Sequence, residues 1–174
     1  MMSLKRCHSE VSEFERFRTE VMNFYYQNPI RNPYSLTLTM KQKVGEERLD
    51  NIKSSTNLRH FRNRINKKIF GNSYYRYKNQ IQMFSVLEND TDHRFHLHLI
   101  IEKPTQLTDG EFRNLVYDCW LKTKFGYHQI QLDRLPLDDE KYWLRYLTKK
   151  RTKDGNLWSS IDWENCSNFQ TSLS

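Results

Sequence analysis

Two histidines one residue apart in an apolar run are the sharpest chemical feature of this chain: Phe95-His96-Leu97-His98-Leu99-Ile100-Ile101. In an extended strand alternate side chains share a face. Phe95, Leu97, Leu99 and Ile101 then line one side, suited to a core, and the two imidazoles sit on the other, about 7 Å apart. Neutral imidazoles at that spacing can hold one divalent ion. The same pair can also sit half-exposed on an ordinary strand. Glu88 precedes His96 at the end of another β-like run and supplies a candidate third ligand, with Asp90 and Asp92 as rivals. Two histidines and one carboxylate leave coordination positions open for a substrate phosphate. Mixed nitrogen and oxygen ligation suits Mn²⁺ or Mg²⁺, with Mn²⁺ the better match to imidazole.

The second feature is Lys141-Tyr142-Trp143-Leu144-Arg145-Tyr146-Leu147-Thr148-Lys149-Lys150. At helical spacing Tyr142, Tyr146 and Lys149 share a face. A phenol with a pKa near 10 is a weak nucleophile at neutral pH unless its phenolate is stabilised or its proton is taken. A lysine nearby can also neutralise charge developing on a phosphate. Against this stands the plain alternative, a tyrosine stripe packing on a sheet while the lysines face solvent.

The elements that must position these residues follow from periodicity. Phe14, Phe17, Val21 and Phe24 predict a helix over about 12–26, and Asn28-Pro29 ends it. The run YSLTLTM predicts a strand over 34–40. Loosely helical apolar positions from Glu46 to Phe70 predict one or two helices, closed by Gly71-Asn72. Strands are predicted over 81–88 and 94–102, joined by Asn89-Asp90-Thr91-Asp92 as an antiparallel hairpin. Thr108 followed by Glu111 is a capping-box signature for a helix to about Lys124. A strand over 128–132 and a helix from Asp138 or Asp139 to about Lys150 complete the order. Helices alternating with strands of a mostly antiparallel sheet indicate an α+β, ferredoxin-like (RRM-like) domain. The domain is expected over 1–150, with 1–30 as an N-terminal helical extension. Residues 151–174 form a polar tail with Trp158 and Trp163 as docking points.

The chain of 174 residues is one domain's length. Its formal net charge is +7 and its isoelectric point about 9.3, which makes nucleic acid the first partner to consider. Candidate phosphate contacts are Lys41, Lys43, Arg62, Arg64, Lys67, Lys68, Arg94 and the run Lys149-Lys150-Arg151. Tyr74, Tyr75 and Tyr77, interleaved with Arg76 and Lys78, could stack on unpaired bases. Cys7, Cys119 and Cys166 show neither metal-binding spacing nor a disulfide pattern. The N-terminus lacks the apolar core of a signal peptide, and no run reaches membrane-spanning length. A cytoplasmic protein, or one working where a replicon is copied in its host cell, is expected, with no membrane partner and no small-molecule substrate.

Taken together, these features resemble the HUH endonucleases, the rolling-circle replication initiators, relaxases and single-strand transposases. His96-Leu97-His98 is similar to their paired-histidine strand. Tyr146-Leu147-Thr148-Lys149 resembles the YxxK motif of viral and plasmid initiators. Glu88 stands where many of those initiators place a carboxylate ligand, and Tyr34 to Thr39 resembles their first strand motif. The resemblance, over roughly Tyr34 to Lys150, implies a metal held by His96, His98 and Glu88. It implies Tyr146 as nucleophile, a 5′-phosphotyrosine intermediate on single-stranded DNA, and Lys149 positioning the phosphate. Tyr142, one turn earlier, gives a spacing similar to that of two-tyrosine phage initiators. Larger viral initiators carry a helicase, so this chain would use a host or separate helicase or need none. A single-strand transposase and a non-catalytic nucleic-acid-binding module are the alternatives.

Overall fold

A computed structural model of the chain describes residues 12–89, 94–148 and 160–167, with the side chains of Leu137, Asp138 and Glu140 outside the description. The elements in order are α1 (Glu13–Gln27), β1 (Pro33–Met40), β2 (Lys43–Val44), β3 (Glu47–Arg48), α2 (Asn51–Phe70) and α3 (Asn72–Tyr77). There follow β4 (Met83–Asn89), β5 (Phe95–Glu102), α4 (Asp109–Leu121), β6 (Gly126–Arg134) and α5 (Leu137–Leu147). The main sheet has the order β4-β5-β1-β6, and all three neighbouring pairs are antiparallel. With α2 connecting β1 to β4 and α4 connecting β5 to β6, two β-α-β units interleave. That is the ferredoxin-like arrangement the sequence predicts.

Local chemistry sets most boundaries. The Ser12 hydroxyl accepts from Glu15 N at 3.2 Å to start α1. Thr108 and Glu111 form the expected reciprocal capping box on α4. Two stretches depart from the periodicity. Glu46 lies in a small hairpin of β2 and β3 that turns at Gly45, whose φ is +59°. Helix α2 therefore starts only at Asn51, where the Asp50 side chain accepts from Lys53 N at 2.8 Å. At its other end Gly71, with φ +53°, bends the chain, and a second short helix, α3, follows where a stop was expected. A left-handed residue ends one helix without forbidding another.

The sheet is covered on both faces. On one, Leu36 and Leu38 of β1 with Leu97, Leu99 and Ile101 of β5 pack under α2 and α4, against Leu58, Phe61, Ile65, Phe112 and Trp120. Trp120 meets Phe61 edge-on at 5.8 Å and donates its indole N–H to Thr39 O at 3.1 Å. On the other, Phe84, Val86 and Ile100 pack under α1 and α5 against Val21, Tyr25, Leu144 and Leu147. Each such side chain removed from water contributes about 1.5–3 kcal/mol. This second cluster covers only part of its face. Further along β1, β4 and β5 the same face carries Thr37, Thr39, Glu88, His96 and His98.

Residues 160–167 lie along the outer edge of β4. Ile161 bridges to Val86, Asp162 N donates to Ser85 O at 3.1 Å and Ser167 N to Met83 O at 3.0 Å. Trp163 packs against the second cluster, as the sequence anticipated for a docking point. Trp158 lies outside the described residues. Cys119 and Cys166 are free and buried, and Cys7 lies outside the description.

Candidate functional site

The paired histidines arrive on one face because β5 is a regular central strand. Antiparallel register puts Thr39 opposite His96 and Thr37 opposite His98 on the β1 side. On the β4 side Glu88 stands opposite His96 and Val86 opposite His98. Glu88 does not stop at its direct neighbour. A carboxylate arm can span the diagonal between strands, and Glu88 Oε2 lies 2.6 Å from His98 Nε2. The other ring nitrogen, His98 Nδ1, lies 3.1 Å from the Thr37 hydroxyl. His98 is buried, at 7% exposure, while His96 and Glu88 are half-buried. Buried imidazoles and carboxylates need such partners.

Helix α5 brings the aromatic side of the site. Leu144 and Leu147 anchor it in the second cluster, which turns Trp143 and Tyr146 toward His98. The Tyr146 ring meets the His98 ring edge-on at 5.9 Å and 88°. Trp143 stacks on Tyr146 at 5.1 Å and 19°, meets His98 at 6.1 Å, and donates its indole N–H to Leu99 O at 3.3 Å. From the opposite side, Arg18 of α1 reaches the end of α5, donating from Nη2 to Arg145 O at 3.2 Å and from Nε to Thr148 Oγ1 at 3.4 Å. A cation there satisfies the terminal carbonyls and complements the helix dipole.

Of the residues singled out in the sequence, the structure gathers Glu88, His96, His98 and Tyr146. Tyr142 sits one turn earlier on α5 and is 68% exposed, against 38% for Tyr146. Lys149, Lys150 and Arg151 lie outside the described residues, as do Asp90, Asp92 and His93. Among the described residues no group of three His, Cys, Asp or Glu side chains is gathered to hold an ion as it stands. The donors nevertheless have suitable chemistry, two imidazoles and a carboxylate on one polar patch. Sequence reading missed Thr37, Trp143 and Arg18. Thr37 was visible as a polar residue on the alternating β1 strand, but its partner depends on strand order.

Fold and site together define a ferredoxin-like α+β protein with a histidine-carboxylate-tyrosine cluster at one end of its sheet. The family described as "Replication-associated protein ORF2" matches residues 33–151, which spans all four strands of the main sheet and α5. The chain belongs to this family of replication-associated proteins. It is also similar to the hypothetical protein ORF119 from Sulfolobus islandicus rod-shaped virus 1. That crystal structure shares 23% identity, covering 79% of this chain and 97% of its own, with a TM-score of 0.45. No curated protein matches. Among the described residues no helix is long and apolar enough to cross a membrane.

Proposed function

We propose that this chain nicks and rejoins single-stranded DNA at a specific site, with Tyr146 as the nucleophile, to initiate rolling-circle replication of a plasmid or virus. The observation that carries the reading is the convergence of Tyr146, His98 and Glu88 from three separate elements, α5, β5 and β4. Membership of a replication-associated family supports the replicative role.

In the proposed step the Tyr146 oxygen, giving up its proton, attacks the scissile phosphorus. The bond from phosphorus to O3′ breaks, and the leaving oxygen takes a proton to become a free 3′-hydroxyl. The 5′ phosphate remains esterified to Tyr146. No phosphodiester is hydrolysed, so the same 3′-hydroxyl can prime synthesis or attack the ester and rejoin the strand. Trp143 holds the Tyr146 ring by stacking, and Thr37 fixes the His98 ring so that Nε2 faces Glu88. A divalent ion, Mn²⁺ or Mg²⁺, held by His96, His98 and Glu88 would supply Lewis-acid stabilisation of charge on the phosphate oxygens. Lys149 is assigned to the phosphate on the YxxK resemblance alone. Strand separation falls to a host or separate helicase.

The test is incubation with end-labelled single-stranded oligonucleotides, from the parent replicon or a random pool, with Mn²⁺ or with EDTA, followed by denaturing protein gels. The expected result is a metal-dependent protein–DNA adduct that is abolished in Tyr146→Phe and kept in Tyr142→Phe. Loss only in Tyr142→Phe would move the nucleophile one turn, and partial loss in both would indicate a two-tyrosine cycle. DNA binding without any adduct, unchanged in His96→Ala, would leave a binding module and end the nuclease reading.

A further inference from the structure

Helix α3 has no evident structural reason to be rich in tyrosine. It is six residues long, none of them is buried, and Tyr75 and Tyr77 are 57% and 71% exposed. Exposed aromatic rings that contribute nothing to a core point outward, to something that covers them. Beside them a groove of about 340 Å³ opens between α2 and α3, lined by Arg62, Asn63, Tyr74, Tyr75, Lys78 and Gln80. That volume is at the small-ligand end of the usual range for binding pockets, about 300–1,000 Å³.

The lining is specific in its chemistry. Tyr74 is fixed by donating its hydroxyl to Asn63 Oδ1 at 2.7 Å, and Tyr75 tilts against it at 5.2 Å. The groove carries two cations and no acidic residue. Neither Arg62 nor Lys78 forms an ion pair among the described residues. Lys78 is held at the groove by a left-handed backbone, φ +57°, that an unhelpful lysine would not favour. An aromatic platform with unneutralised cations beside it is the composition that takes an unpaired base and its phosphate.

We infer that this groove is a second single-stranded DNA site, separate from the cluster at Tyr146, which takes a base on Tyr75 and the adjoining phosphate on Lys78 and Arg62. It rests on single-stranded DNA being the substrate of the proposed nuclease. The two sites lie on different layers of the molecule. Helix α2 packs on the face of β5 that carries Leu97 and Leu99, whereas His96 and His98 occupy the opposite face. The groove also lies beyond the start of β4 while Glu88 is near its end, a run of roughly 17 Å at the rise of an extended strand. Only a strand of on the order of ten nucleotides could visit both, a length within the range of single-strand-binding surfaces. The groove would thus hold flanking DNA while the cluster handles the scissile phosphate.

The experiment measures fluorescence anisotropy of labelled oligothymidylates from about 5 to about 25 nucleotides long, with the full chain in EDTA so that no strand is cut. The variant is the double substitution Tyr75→Ala, Lys78→Asn. Both side chains are exposed or at the groove rim, and asparagine tolerates the left-handed backbone. The wild type is expected to gain affinity once the oligonucleotide is long enough to reach both sites. The variant is expected to lose about tenfold on long strands, about 1.4 kcal/mol and the size of one base–aromatic stack, and nothing on the shortest. A 5-iodouracil oligonucleotide is expected to photocrosslink to the peptide that contains Tyr74 and Tyr75. Equal affinities of variant and wild type at every length, or crosslinks confined to other peptides, would overturn the second site. The gel assay for the Tyr146 adduct separates the two ideas. An adduct formed without any length-dependent loss in the variant removes the groove alone. A length-dependent loss without any adduct removes the nuclease reading and leaves the groove.

Discussion

His98 is held from three directions: Thr37 on Nδ1, Glu88 on Nε2, and the rings of Trp143 and Tyr146 against its face and edge. The Thr37 contact sets which nitrogen faces the carboxylate, and such a contact typically controls metal affinity by about 10- to 100-fold. Thr37→Val is therefore expected to weaken Mn²⁺ binding within that range, read by electron paramagnetic resonance of free Mn²⁺. Thr37→Ser, which keeps the hydroxyl, should restore it; equal affinity in all three would leave Thr37 a spacer. Trp143→Leu tests the other direction. It removes both the stack on Tyr146 and the bond to Leu99 O, and loss of positioning by about 1 Å can cost on the order of 100-fold in rate. The adduct should form far more slowly with DNA affinity little changed. Both histidines, Glu88 and Tyr146 were legible in the sequence because period-two and period-3.6 spacing place side chains without reference to the rest of the molecule. Thr37 and Trp143 were not, because their roles exist only once β1 lies beside β5 and α5 lies over it.

The same division holds for whole elements. Long periodic runs with capping chemistry, α1, β1, β5 and α4, were readable from the chain. The β2–β3 hairpin and α3 were not, since each is a few residues long and follows a glycine whose positive φ redirects the backbone. Gly126 was read only as a cap or turn, yet its importance is one of close approach. A side-chain carbon there would collide with the Trp120 carbonyl, which is backbone and cannot rotate away. Gly126→Ala must therefore shift the end of α4 against the start of β6, and it should lower the melting temperature clearly. The α4 cap offers a gentler probe. Thr108→Ala removes a side-chain cap and is expected to cost about 1 kcal/mol in chemical denaturation. Glu111, its reciprocal partner, has its pKa lowered by the hydrogen bonds from the Thr108 backbone N–H and hydroxyl. A depressed carboxylate stabilises the fold above its ordinary titration range and stops doing so as the pH falls through the lowered value. The melting-temperature gap between wild type and Glu111→Ala should accordingly be full near neutral pH and close in acid. A gap that stays open below the carboxylate range would mean that the cap acts through packing, not charge.

At the scale of the molecule, the sequence disclosed a basic domain with a sheet, but not how the sheet is finished. One of its borders is β4, the strand that carries Glu88, and an uncovered border offers unpaired N–H and C=O groups to other chains. Residues 160–167 close it with backbone bonds to Ser85 and Met83, a buried Ile161 and a buried Cys166. Burial pushes the Cys166 thiol up to about 12, so it stays a neutral thiol packed beside Ser85. Polar composition hid this segment, because backbone pairing leaves little trace in side-chain pattern and the anchoring residues are only a few. Ile161→Ala is expected to cost about 2–5 kcal/mol if the site cannot collapse, and removal of everything from residue 160 onward should cost more. Because the loosened strand holds Glu88 against His98, adduct formation should fall along with stability, and light scattering should show self-association through the bared edge. A truncated chain that stayed monomeric, melted as the full chain does and formed adduct at the full rate would show that the segment rests on β4 without supporting it.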